Sequence, residues 1–70
     1  MNTSSMVLVG NNLRMLRKAR KLSIFNVAND LQVSAHYLGD IERGNANPSL
    51  ITMDKLAFYY GVSTRSLFNE

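Results

Sequence analysis

Only two residues, Gln32 and Val33, separate one apolar-periodic segment from the serine that opens the next. Ser23 precedes a segment in which Val27, Ala28 and Leu31 recur at helical spacing, and Ser34 precedes one in which Leu38 and Ile41 do. Serine is favoured at a helix N-cap because its hydroxyl accepts a hydrogen bond from backbone N–H groups that the first turn leaves unpaired. Two helices joined by so short a turn have no room to lie antiparallel, so they must cross steeply. A close crossing needs a small residue at the contact, and Ala28 supplies one.

The same signals mark three further helices. Val9, Leu13 and Leu16 form the inner stripe of a first helix over about Val9 to Arg20. The second runs from Ser23 to about Gln32, and the third ends at Gly44, a natural residue for the left-handed turn after a helix. After a turn over Asn45 to Pro48, Ser49 caps a fourth helix over Leu50 to Tyr60, with Leu50, Met53, Leu56, Ala57 and Tyr60 inward, and Gly61 stops it. Ser63 caps a short fifth helix ending in Leu67 and Phe68. No segment alternates with period two over β-forming residues, so the fold is read as all-α with five helices. Seventy residues leave room for one core. Residues 1–8 are expected to be a flexible N-terminal leader and residues 9–69 the folded domain.

Composition removes several classes of function. There is no cysteine, hence no disulfide framework and no thiolate chemistry, which suits a soluble cytoplasmic protein. A single histidine, no ligand cluster at metal spacing and no phosphate-cradling glycine loop leave nothing from which to build an enzyme, a metal site or a cofactor site. Gly10 and Gly44 read as isolated turn glycines. The apolar run Met6 to Val9 is too short for a signal-peptide core or a membrane span. Net charge is +3, and Arg14, Arg17, Lys18, Arg20 and Lys21 supply five of the eight basic residues. Such a run fits either a nucleic-acid partner or a solvated helix face.

With its elements in this order the chain resembles the phage repressor/Cro (XRE-type) class of helix-turn-helix proteins. The likeness is carried by Asn12 to Arg20, by Leu22-Ser23, by Val33-Ser34 and by Tyr37 to Gly44. Asn47-Pro48-Ser49-Leu50 and Gly61-Val62-Ser63 with Leu67-Phe68 complete it, so that it spans about residues 10–68. The resemblance implies a lambda-repressor-like domain and a sequence-specific DNA-binding transcriptional regulator, usually a homodimer that occupies a two-fold operator as a repressor. It also implies that Arg17 pairs with Glu42 and locks the third helix. The alternative is two separate surface charges.

By the family pattern, base edges are read from the start and outer face of the third helix, by Ala35, His36 and Asp40, with Tyr37 alongside. Ala35 suits a thymine methyl, and His36 can donate to a guanine edge or a phosphate unless it is an unengaged surface histidine. Tyr37 either bonds a phosphate or covers the second helix. Phosphate positioning falls to Ser34, Arg43, Asn45 and Asn47, with backbone N–H groups at the starts of the second and third helices.

Several residues depart from the pattern. Ile24 stands where glutamine is common, Phe25 is unusual in an exposed first turn, and Asp40 puts a negative charge on the face meant for DNA. Gln32 replaces the usual glycine, which in a left-handed conformation costs on the order of 1 kcal/mol. These departures point to a second class of function, a protein-interaction module or antitoxin of the same fold with weak or lost DNA binding. Ile51 and Phe58, seven residues apart on the fourth helix, with Tyr59, form either a dimer or partner surface or a cover for Val7 to Val9.

Overall fold

A computed structural model describes residues 4–70. Four α-helices and one 3-10 helix follow one another: α1 Ser4–Ala19, α2 Ile24–Leu31, α3 Ala35–Glu42, α4 Leu50–Tyr60 and η1 Thr64–Phe68. The all-α reading stands, with one change: the fifth helix is a single tight 3-10 segment. Four of the five starts are fixed as expected. Ser23, Ser34, Ser49 and Ser63 each sit in extended backbone and accept from the N–H three residues on, at 3.0–3.1 Å.

The four α-helices also end alike. A residue in the left-handed region donates its N–H three residues back, and the next residue donates five back. Lys21 and Leu22 do this after α1, Gln32 and Val33 after α2, Gly44 and Asn45 after α3, and Gly61 and Val62 after α4. Glycine takes this conformation without strain, but Lys21 (φ 57°) and Gln32 (φ 60°) carry side chains there. Leu22, Val33 and Val62, the residues that follow, turn inward against the core. Each helix is thus stopped and redirected by the same backbone device.

The core is built from Val9, Leu13, Val27, Ala28, Leu38, Ile41, Leu56, Ala57, Tyr60 and Leu67, all buried. Two expectations need correction. Leu50 is 68% exposed, because it is the first residue of α4 and its side chain falls outside the packed stripe. The expected leader is mostly helix: α1 starts at Ser4 rather than Val9, and residues 1–3 lie outside the described residues. Ser5, Met6 and Val9 face Asn47, Pro48, Met53 and Phe68 across a shared cleft, and that packing supports a turn of helix which local sequence does not announce.

Gly10 is not a turn glycine. It lies inside α1, buried, and a Cβ there would collide with the main-chain carbonyl oxygens of Ile41 and Glu42. The lack of a side chain lets α1 run directly against the end of α3. At Gly44, φ +77°, a Cβ would press more lightly, 3.0–3.4 Å from the backbone and side chain of Val7. Gly10→Ala should therefore force α1 and α3 apart and destabilise the domain by about 2–3 kcal/mol, as overpacking against rigid backbone does. Urea denaturation of the two proteins measures this.

Candidate nucleic-acid interface

The outward side of α3 is only as well defined as the way its rear is held. Leu38 and Ile41 are buried behind it, and Glu42, also buried, points back toward α1. Arg17 meets that carboxylate with two parallel bonds, Nε to Oε2 at 2.8 Å and Nη2 to Oε1 at 3.0 Å. Its remaining terminal nitrogen, Nη1, donates to the Leu22 carbonyl at 2.9 Å. A planar guanidinium can make all three contacts at once, whereas an ammonium cannot. The hydrogen bond to Glu42 raises the Arg17 pKa further, against the opposing effect of burial.

In front, the side chains stand as follows. Ser34 spends its hydroxyl capping α3, accepting from the Tyr37 N–H at 3.0 Å. Ala35 and Tyr37 are half-buried and pack against the core, Tyr37 beside a small cavity of about 50 Å³ bounded also by Leu31, Val33, Lys55 and Leu56. That places Tyr37 over α2 and α4. His36 is the outermost of the group, its side chain 87% exposed. Asp40 lies between two basic groups, its Oδ2 3.3 Å from His36 Nε2 and its Oδ1 2.6 Å from Arg43 Nη2. Asp40 is thus hydrogen-bonded to Arg43 on one side and has the His36 ring beside it on the other. Asn45 donates its N–H to the Asp40 carbonyl, and exposed Asn47 borders the cleft at the start of α1.

The basic run on α1 divides by role. Arg17 is structural, and Arg20 donates to the carbonyls of Leu16 and Tyr60 while lying over the Tyr60 ring at 5.3 Å. Arg14, Lys18 and Lys21 remain exposed. Asn12 does more than its sequence context suggested: its amide donates to the carbonyls of Leu67 and Asn69, tying η1 to α1. Only its small polar character on the α1 face next to Leu13 hinted at that. Ile24 is half-buried against the core, whereas Phe25 is 71% exposed.

On α4, Ile51 and Phe58 project from the molecule, Phe58 at 88% exposure, and exposed Leu50 joins them. Tyr59 is engaged within the chain, its hydroxyl donating to Asp30 at 2.6 Å and its ring edge-on to Tyr60. Among the described residues no group of three or more acidic, histidine or cysteine side chains is placed to hold a metal, and no helix is long and apolar enough to cross a membrane.

Known proteins share this arrangement. A family model described as a helix-turn-helix domain matches residues 8–70. The chain belongs to that family. Within it, the chain is 46% identical over 55 residues to the HTH-type transcriptional regulator DdrOP3 of Deinococcus deserti, covering 79% of this chain and 43% of that protein. It is 37% identical over 62 residues to the immunity repressor protein of Bacillus phage phi105, covering 89% of this chain and 43% of that one. The chain thus spans under half the length of both relatives. The fold also matches SinR of Bacillus subtilis, a master regulator for biofilm formation solved in complex with DNA. There the TM-score is 0.79 and the identity 29%, over 87% of this chain and 98% of SinR.

The helix-turn-helix core holds one buried polar group that its packing leaves without a partner among the described residues, the Tyr60 hydroxyl. Burial, with the nearby Glu42 charge adding to it, pushes the Tyr60 pKa up to about 12. An unfolded tyrosine ionises near 10. Ionisation of Tyr60 therefore leaves stability unchanged below about pH 10, and stability falls as pH rises from there through about 12. Tyr60→Phe should leave stability at pH 7 within about 1 kcal/mol of the original, since no hydrogen bond is lost. It should also flatten the decline between pH 10 and 12, as denaturant titrations at stepped alkaline pH would record.

Proposed function

We propose that this chain is a sequence-specific DNA-binding transcriptional regulator that acts in the cytoplasm without catalysis, occupying an operator with α3 in the major groove. The observation that carries this reading is the two-sidedness of α3: Leu38, Ile41 and Glu42 are sealed behind it, while His36 and Arg43 stand in solvent in front. A helix held so rigidly and open on one side fits a groove about 12 Å wide. In this reading His36, Asp40 and Ala35 meet base edges. Ser34, Arg43, Asn45 and Asn47 position the backbone, and Tyr37 supports α3 from the side. The named relatives, a transcriptional regulator and a phage repressor, and the DNA-bound neighbour support the same class of function.

The regulator acts as a homodimer. Leu50, Ile51 and Phe58 on α4 give it exposed apolar side chains for such a contact. A two-fold pairing through that side would set two copies of α3 about 34 Å apart, one turn of DNA. The same exposed residues, with Phe25, favour a second reading as a protein-interaction module or antitoxin.

Selection of bound duplexes from random DNA, followed by titration at two salt concentrations, separates the readings. DNA binding should weaken steeply with salt. Arg43→Ala should weaken binding to the selected duplexes, and His36→Ala should change which duplexes are selected. Binding that is absent, or indifferent to salt, would leave the interaction module standing instead.

A further inference from the structure

Asp40 is in an electrostatically poor place twice over. It lies in the last turn of α3, where the helix dipole disfavours an acid, and it lies on the side that the proposed function turns toward phosphates. Yet its Oδ1 accepts from Arg43 at 2.6 Å, and its Oδ2 lies 3.3 Å from His36 Nε2. The arrangement depends on Gly39 as well. A Cβ at Gly39 would sit 3.0–3.5 Å from the guanidinium atoms of Arg43, so the bare helix surface there is the seat over which Arg43 folds back to reach Asp40. Glu42, the other acid of α3, is taken by Arg17 on the opposite side and competes for neither group.

We propose that Asp40 is a specificity-determining positioning residue, holding Arg43 and His36 in a clamp across the outer side of α3. This inference rests on the DNA-binding reading above and adds a mechanism to it. With the clamp closed, Arg43 is turned to Asp40, so any phosphate that takes it strands a carboxylate beside the duplex. A site that offers Asp40 a donor of its own, such as the amino group of cytosine, replaces the lost partner and frees the arginine. Ion pairs three and four residues apart on an exposed helix are weak, so the clamp opens readily when a proper exchange is available. Random-sequence DNA is disfavoured because it provides phosphate without that donor.

The test compares the original protein, Asp40→Asn, Arg43→Ala and the double variant by fluorescence anisotropy. Each is titrated at two salt concentrations with the duplex selected by the original protein and with a random-sequence duplex of equal length. Asp40→Asn should bind the random duplex about threefold to tenfold more tightly, with a salt slope steeper by about 0.9 as Arg43 gains a phosphate. It should not gain on the selected duplex, so discrimination falls. In the Arg43→Ala background the gain on random DNA should shrink to less than about twofold, because the arginine through which Asp40 acts is gone. Unchanged or weaker random-duplex binding by Asp40→Asn overturns the clamp, and so does a gain that persists undiminished without Arg43. If the original protein binds no duplex at all, the regulator reading itself fails and the clamp falls with it.

Discussion

One buried ion pair joins the two helices on which everything else is arranged. Arg17 and Glu42 are nearly closed to solvent, at 14% and 5% side-chain exposure, and each satisfies the other with two bonds. Taking such charges out of water is expensive, and their mutual attraction offsets that cost only when geometry is good and the remaining donors are satisfied. Both conditions are met, the last by the Leu22 carbonyl. What the pair provides is therefore less a large net stabilisation than a demand for one arrangement: any shift of α3 along α1 would strand a buried charge. Gly10 makes the same demand sterically, since α1 can approach Ile41 and Glu42 so closely only where there is no side chain.

The proposed function rests on that fixed seat. Once the rear of α3 is set by Leu38, Ile41 and Glu42, its outward residues have no freedom to choose a direction, and only their own side-chain torsions remain. The two-residue turn before Ser34 holds the other end. Its cost is the left-handed Gln32, whose side chain recovers a hydrogen bond to the Asn29 carbonyl. Binding energy is then not used to order the helix, which is the advantage of a preorganised recognition surface. Exposed groups such as His36 are held at the outer edge by a scaffold in which, among the described residues, the Tyr60 hydroxyl is the one buried side-chain polar atom without a partner.

Much of this was legible in the sequence because it is local. A serine cap announces itself within four residues, an apolar stripe within eight, and Gly44 and Gly61 mark the left-handed stops that only they adopt without strain. What stayed hidden depends on partners distant along the chain. Gly10 looks like a turn until Ile41 and Glu42 are placed against it. The first turn of α1 carries no cap signal and is supported by packing near Pro48 and Phe68. Leu50 belongs to the right apolar pattern, but as the first residue of α4 it lies just beyond the packed surface. The five basic residues of α1 look equivalent in sequence, and only the positions of Glu42 and Tyr60 separate Arg17 and Arg20 from the rest. Asp40 read as a negative charge on the side meant for DNA, and Arg43 reaches it by lying over Gly39.

The measurement that bears most directly on this account is a double-mutant cycle at the buried pair, with Arg17→Met, Glu42→Met and the combined variant unfolded in urea. Each single change should cost about 3–5 kcal/mol, since it leaves one charge buried alone. The double variant should recover at least about 2 kcal/mol of the summed loss, the signature of two groups that hold one another. Single costs that merely add, to within about 0.5 kcal/mol, would show that the two charges act independently and that something else seats α3.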